Sequence, residues 1–216
     1  MGNDTNYWNG YWKFLAEGRN VDNKSVDMWL DDYSDIISKI PSGKVLELGC
    51  GLGQFSKYFM EKGFDVLATD ISPDALAKAA KNVDSLKTQV LDMGKPFPFG
   101  DNIFDIVMAN LSIHYFDEAT THRILSEILR VLSPNGYFIG SVISANDKRR
   151  ERGREVEIEP NYIKRQGGEN LRIVRYFDEN SFDTFFKDFT FEMLEEKTRT
   201  RVGVPKTAWE FIVRPK

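Results

Sequence analysis

The chain has 216 residues, of which 41% are hydrophobic and 29% are charged, a composition that supplies one packed core and excludes a disordered protein. Its 29 basic and 33 acidic side chains give a formal net charge of −4, so the overall positive field typical of nucleic-acid-binding proteins is missing. Cys50 is the only cysteine, and His114 and His122 are the only histidines, which excludes internal disulfides and disfavours a metal site.

Residues 1–40 predict a helical cap with two amphipathic segments. The first carries the aromatic residues Tyr7, Trp8, Tyr11 and Trp12 at helical spacing, and the second runs from about residue 24 to residue 40. The aromatic stripe has two interpretations, which are packing on the domain and closure over a bound ligand.

Residues 43–143 alternate short apolar runs with helical patterns, as parallel strands joined by crossover helices do. Strands are predicted at residues 44–49, 64–70, 86–92, 103–110 and 137–143. Helices are predicted at about residues 54–62, after Ser72 and Pro73, and after Asp117, which can cap its helix. The fourth strand is nearly continuous in apolar side chains, so we expect it at the centre of the sheet.

Two pieces follow this core. Residues 144–176 are charged and rich in turns, which favours a solvated helix or a flexible lid. Residues 177–216 predict a helix, marked by four phenylalanines, and then an antiparallel strand pair at 190–198 and 207–214. The phenylalanines are Phe182, Phe185, Phe186 and Phe189. The sequence therefore predicts one α/β domain with a Rossmann-like doubly wound sheet, mostly parallel, with an antiparallel C-terminal strand and helices on both faces.

The strongest local motif is the sequence ELGCGLG at residues 47–53, where the first strand runs directly into three glycines. Glycines at Gly49, Gly51 and Gly53 allow a tight turn and a close approach of the backbone to a ligand, while the next helix begins with unsatisfied N–H groups. The spacing G-x-G-x-G, together with Glu47 before it and Gln54 after it, departs from the dinucleotide fingerprint G-x-G-x-x-G.

This motif, followed by an acidic strand end at Asp70, resembles the first motif of the class I S-adenosylmethionine-dependent methyltransferases. Residues 110–116 are similar to the small-molecule branch of that family, which includes type 11 and tellurite-resistance-like enzymes. The resemblance implies S-adenosylmethionine as cofactor and S-adenosylhomocysteine as product. It implies that Asp70 binds the ribose, that Asp92 and Met93 bind the adenine, and that Asn110 faces the methionine end. The implied cofactor-binding residues are Glu47, Gly49, Cys50, Gly51, Gly53, Asp70, Ile71, Asp92, Met93 and Asn110.

The cofactor of such enzymes carries its own leaving group, so the protein mainly aligns the acceptor and excludes water. His114 is the nearby side chain with a titration range close to neutrality, and we interpret it as a possible base or a structural residue. Tyr115 is its predicted partner in catalysis. The predicted substrate pocket, for a small-molecule acceptor, comprises Tyr11, Trp12, His114 and Tyr115.

Two alternatives remain at this stage. A dinucleotide-dependent oxidoreductase is disfavoured by Gln54, and a cofactor-binding regulator without catalytic activity is compatible with the same motif. The residues MGNDTN at the start lack the features of a secretory signal, and no segment approaches the roughly 20 apolar residues of a membrane helix, so we expect a cytoplasmic protein.

Overall fold

The computed structural model describes residues 5–18, 28–148, 150, 155–165, 173–201 and 204–216. The helices are α1 (Thr5–Gly18), α2 (Ser34–Ile37), α3 (Gln54–Glu61), α4 (Pro73–Asn82), α5 (Glu118–Val131) and α6 (Glu179–Phe185), with 3₁₀ turns at Trp29–Tyr33 and Ile113–Tyr115. The strands are β1 (Lys44–Leu48), β2 (Asp65–Asp70), β3 (Lys87–Val90), β4 (Phe104–Asn110), β5 (Leu132–Ile143), β6 (Glu155–Glu159), β7 (Tyr162–Arg165), β8 (Ile173–Arg175), β9 (Phe189–Arg201) and β10 (Val204–Pro215).

Seven strands form the main sheet in the order β3-β2-β1-β4-β5-β10-β9. The first five are parallel to one another, whereas β10 is antiparallel to both β5 and β9. Successive strands are added on one side of β1 as far as β3, and on its other side from β4 onward. Ligands of doubly wound sheets bind at this switch point, beyond the carboxyl ends of the strands. The predicted fold class is confirmed.

Helices and turns cover both faces of this sheet, so its central strands have few polar residues. On one face Leu46, Val107 and Phe138 pack with the buried stripe of α5 and with the phenylalanines of α6. On the other face Val45, Ile106 and further side chains pack with α3, α4 and the Trp29–Tyr33 turn.

The predicted caps of the crossover helices are present. The Ser72 Oγ accepts a hydrogen bond from the Ala75 N–H, and Pro73 occupies the first turn of α4. The Asp117 carboxylate accepts from the Thr120 N–H at the start of α5. These contacts involve neighbouring residues, so the local sequence was sufficient to predict them.

Three elements differ from the prediction. The described part of the second N-terminal segment, residues 28–40, is a 3₁₀ turn followed by the one-turn helix α2, and residues 24–27 lie outside the described residues. The helix marked by phenylalanines ends at Phe185, and Phe189 begins β9 because its side chain packs with Phe138 and Phe186. Strand β5 begins at Leu132, directly after α5, rather than at residue 137.

The insertion at residues 144–176 is the largest difference. Its described residues contain no helix, and they form a three-stranded antiparallel sheet in the order β6-β7-β8. Ile163, Val174 and Tyr176 pack under this small sheet with Ile143. The expected solvated helix is therefore wrong over the described residues, because these residues pair as strands and Tyr162, Ile163, Val174 and Arg175 are buried. The flexible lid stays a prediction.

Within the described ranges, no helix is long and apolar enough to span a membrane. The same residues contain no group of three or more histidine, cysteine or acidic side chains that could hold a metal ion.

Candidate cofactor and acceptor site

The glycine loop follows β1 and adopts a conformation that favours glycine. The φ angles of Gly49, Gly51 and Gly53 are +72°, +55° and +82°. A Cβ atom at Gly49 would lie 2.7 Å from the Ser112 Cβ, and one at Gly51 would lie 2.5 Å from the Trp12 ring. The predicted tight turn is present, and its first two glycines are packed too closely for any other residue type.

The carboxylate of Asp70, at the end of β2, holds this loop. Its Oδ2 accepts a hydrogen bond from the Gly51 N–H at 3.0 Å, and its Oδ1 accepts from the Ser72 N–H at 2.9 Å. Only 6% of Asp70 is exposed, and burial raises the pKa of its carboxyl group, while these backbone donors oppose the shift. Asp70 therefore joins the loop to the start of α4, with Ile71 half-buried between them.

Glu47 lies beneath the loop. It is 2% exposed, and its carboxylate accepts a short hydrogen bond from the Ser56 hydroxyl at the start of α3. Burial raises the pKa of Glu47 to about 8, the Ser56 hydroxyl opposes this shift, and the charge of Asp70 adds to it. This geometry favours a role in supporting the loop, and direct cofactor binding by Glu47 stays a prediction.

Cys50 is buried within the same loop, and its N–H donates to the Thr69 carbonyl at 2.9 Å. Burial raises the pKa of its thiol, so the thiolate needed for nucleophilic attack is disfavoured.

Asp92 and Met93 follow β3 and reach the same edge of the sheet. The Asp92 Oδ1 accepts from the Gly94 N–H at 2.9 Å, and its other oxygen lies 3.5 Å from the Lys95 Nζ. The Met93 Cε would lie 3.5 Å from a Cβ at Gly49, so this side chain faces the loop. The structure thus brings the proposed adenine-binding turn next to the first glycine.

Asn110 ends β4, and its amide oxygen is fixed by two donors. The Trp29 indole N–H donates to Oδ1 at 3.0 Å, and the Ser141 hydroxyl donates to it at 2.7 Å. Trp29 is fully buried, and sequence reasoning did not identify it as part of the site. The contact joins residues 81 positions apart, so no local pattern indicates it.

A strained turn follows Asn110. Leu111 has a φ of +50°, which is unfavourable for a branched side chain, and its N–H donates to the Ser141 carbonyl at 2.9 Å. The next residue, Ser112, donates from its hydroxyl to the Leu48 carbonyl at 2.9 Å. These contacts fix the end of β4 against the end of β1.

Helix α1 lies over the loop. The Ser72 hydroxyl donates to the Asn9 side-chain oxygen, and the Lys78 Nζ donates to the Trp12 carbonyl at 2.8 Å. The Trp12 ring contacts Gly51, as the aromatic stripe allowed. Tyr11 packs between Trp8 and Trp12, with ring centroids 5.6 and 5.2 Å away.

His114 and Tyr115 lie in the 3₁₀ turn after β4. His114 is 3% exposed, and its ring centroid is 4.3 Å from that of Tyr115. Tyr115 in turn contacts Trp8 of α1 edge to face, with centroids 4.9 Å apart. Trp8 was absent from the predicted pocket, although the aromatic stripe contained it.

The insertion holds this turn from the other side. The Tyr162 hydroxyl donates to the Tyr115 carbonyl at 3.4 Å, and the Arg175 Nε donates to the Phe116 carbonyl at 3.3 Å. Arg175 is 3% exposed and forms an ion pair with Glu159. The small sheet therefore forms a wall behind His114 and Tyr115, and a lid role for the insertion stays a prediction.

Residues 46–140 match the type 11 methyltransferase family model, described as a methyltransferase domain. These residues form a methyltransferase domain. The resemblance seen in the glycine loop is thus confirmed, whereas the tellurite-resistance-like branch stays a prediction.

Two curated relatives of this methyltransferase domain and one solved structure show the extent of the likeness. An uncharacterized methyltransferase of Synechocystis is 39% identical over 98 residues, which are 45% of this chain and 46% of that protein. The malonyl-[acyl-carrier protein] O-methyltransferase of Buchnera aphidicola is 34% identical over 134 residues, which are 61% of this chain and 53% of that protein. The chain therefore matches about half the length of each curated relative.

The solved structure is the 1,6-didemethyltoxoflavin-N1-methyltransferase of Burkholderia thailandensis, with bound 1,6-didemethyltoxoflavin and S-adenosylhomocysteine. It superposes with a TM-score of 0.69 at 19% identity and covers 97% of this chain and 87% of that one. This likeness concerns the fold.

The family resemblance implies S-adenosylmethionine as the cofactor of this methyltransferase domain. The residues present fit it, because the loop after β1 brings backbone rather than its own side chains to this edge of the sheet at Gly49, Gly51 and Gly53. Asp70 adds a carboxylate, the group that accepts hydrogen bonds from a ribose diol, and Met93 adds an apolar surface for a flat base.

Proposed function

We propose that the protein transfers a methyl group from S-adenosylmethionine to a small-molecule acceptor. The observation that carries this proposal is the glycine loop, which has no room for a Cβ at Gly49 or Gly51 and is held by the Asp70 carboxylate. The strand ends that would contact an adenosyl group, those of β1, β2 and β3, are neighbours in the sheet.

The chain's residues divide into those for the cofactor and those for the acceptor. Asp70 binds the ribose, Asp92 and Met93 bind the adenine, and Asn110 faces the methionine end. Charge-assisted hydrogen bonds of this kind contribute about 1.5–3 kcal/mol each. When bound, S-adenosylmethionine supplies a methyl group on a positively charged sulfur that is a good leaving group.

His114 is the residue proposed to take a proton from the acceptor. It follows the strained turn after Asn110, next to Tyr115, and a histidine titrates close enough to neutrality to serve as a base. The Tyr115 ring contacts the His114 ring and Trp8 contacts Tyr115, so these aromatic side chains would help to exclude water. Alignment and exclusion of water are the main contributions that such a site makes to the rate.

A small acceptor is favoured because α1 and the insertion enclose the His114–Tyr115 turn from two sides. The relative from Burkholderia acts on a small heterocycle, whereas the relative from Buchnera acts on a malonyl group carried by a protein. Acceptor screening should therefore include both free small molecules and carrier-linked acids. We also propose a reducing, cytoplasmic compartment, which suits a single buried cysteine.

The first experiment is isothermal titration with S-adenosylhomocysteine, for which we expect binding with a 1:1 stoichiometry. An absence of heat at millimolar ligand would refute the proposal, and tight binding of NADH would instead support the oxidoreductase. Incubation of the full chain with methyl-labelled S-adenosylmethionine and cell extract then tests transfer. Binding without any labelled product across broad acceptor screening would favour a regulator without catalytic activity.

A further inference from the structure

The indole nitrogen of Trp12 is buried and has no hydrogen-bond acceptor among the described residues. An indole N–H can only donate, and an unsatisfied buried donor is costly to a folded protein. Two other tryptophans have partners, since the buried Trp29 donates to Asn110 and the partly buried Trp209 donates to the Phe177 carbonyl. Trp12 therefore requires a different explanation.

The position of Trp12 places this donor at the glycine loop. Its Cη2 and Cζ2 atoms lie 2.5 and 2.7 Å from where a Cβ of Gly51 would be. The contact is made by the tip of the six-membered ring, and the nitrogen is two bonds from Cζ2, so the buried N–H lies beside the loop. Gly51 itself donates its N–H to Asp70, the residue proposed to bind the ribose.

Other contacts hold Trp12 in this place. The Trp12 carbonyl accepts from the Lys78 Nζ at 2.8 Å, and Asn9, one turn earlier on α1, accepts from Ser72. Both donors belong to α4 and its cap. The indole is thus positioned by the backbone and by a neighbouring side chain of α1, and its own N–H remains available for a ligand.

We infer that the Trp12 N–H donates a hydrogen bond to an oxygen atom of the bound cofactor. We also infer that the absence of a Cβ at Gly51 allows the Trp12 ring to lie close enough to the loop for this bond. This inference rests on the proposed function. It adds Trp12 to the cofactor-binding residues, in place of the acceptor pocket to which the sequence assigned it. The oxygen belongs either to the ribose or to the carboxylate of the methionine portion.

The test compares two tryptophan-to-phenylalanine variants of the full chain. Trp12→Phe should weaken S-adenosylhomocysteine binding roughly tenfold by isothermal titration and leave the melting temperature of the ligand-free protein unchanged. Trp209→Phe is the matched control, because it removes an indole N–H that already has a partner within the chain. It should lower the ligand-free melting temperature by about 2–4 °C and leave the affinity unchanged.

A second ligand identifies the acceptor atom. 5′-Methylthioadenosine has the ribose but lacks the carboxylate, so an equal loss with both ligands assigns the bond to the ribose. A loss with S-adenosylhomocysteine alone assigns it to the carboxylate. Either result supports the inference.

The role of Gly51 is tested by a double-mutant cycle. Gly51→Ala should displace the Trp12 ring, so combining it with Trp12→Phe should cost little more affinity than Gly51→Ala alone. Fully additive losses of affinity would show that Gly51 does not determine the position of the Trp12 ring.

Two outcomes overturn the inference as a whole. One is an unchanged affinity of Trp12→Phe for both ligands, and the other is a fall in its ligand-free melting temperature without loss of affinity, which would assign the N–H to an acceptor within the chain. Failure of the unaltered protein to bind S-adenosylhomocysteine would instead refute the proposed function.

Discussion

Replacing Gly49 with alanine tests how tightly the glycine loop is packed against the end of β4. Gly49 has a φ of +72°, and a left-handed conformation costs an alanine about 1–2 kcal/mol. Its new Cβ would lie only 2.7 Å from the Ser112 Cβ, a separation that folded proteins do not tolerate. Ser112 is buried and hydrogen-bonded to the Leu48 carbonyl, so it cannot move aside freely. Overpacking of this kind adds about 1–3 kcal/mol.

Gly63 provides a matched control for the backbone contribution. Its φ is +87°, and nothing lies within 4 Å of the position that a Cβ would occupy. Gly63→Ala should therefore lose only about 1–2 kcal/mol of unfolding free energy, whereas Gly49→Ala should lose about 2–5 kcal/mol. Urea unfolding with a shared m-value measures both losses.

The two variants should also differ in binding. Gly49→Ala should weaken the affinity for S-adenosylhomocysteine, because the loop and Ser112 must separate, and Gly63→Ala should leave it unchanged. Adding Ser112→Gly to Gly49→Ala removes the overlapping atom and should restore part of the lost stability. Equal unfolding free energies for the two single variants would refute the close packing of the loop.

Three further predictions concern acidic and basic side chains of the site. Asp70→Ala should weaken S-adenosylhomocysteine binding tenfold or more, roughly the effect of losing two charge-assisted bonds. Asp70→Asn should lose less affinity because one acceptor oxygen remains. Equal dissociation constants for Asp70→Ala and the unaltered protein, measured by titration calorimetry, would disprove ribose binding. His114→Gln should slow labelled-methyl transfer without changing that affinity, and an undiminished rate would leave His114 a structural role. Since the pKa of Glu47 is about 8 in the folded protein and 4.5 ordinarily, its contribution to stability is complete below pH 4.5 and is lost as the pH rises to about 8. Glu47→Gln should flatten this pH dependence in urea unfolding, and an identical profile for both proteins would contradict the raised pKa.

The sequence alone determined the parallel core and the glycine loop. Strand and helix periodicities, the caps at Ser72 and Asp117, and the glycines of residues 49–53 are local patterns, and each depends mainly on residues within a few positions along the chain. The order of these elements, with a right-handed crossover between parallel strands, leaves few alternatives for the sheet. The family resemblance came from the same short segment.

The tertiary structure decided which distant segments complete the site. Trp12 reaches Gly51, Trp29 reaches Asn110 and Tyr162 reaches Tyr115 through contacts between separate elements. The insertion became a sheet for the same reason, because its apolar residues Ile163, Val174 and Tyr176 are buried together with Ile143 of β5. Contacts of this kind depend on how whole elements pack, and the periodicity of a single segment carries no information about its partner.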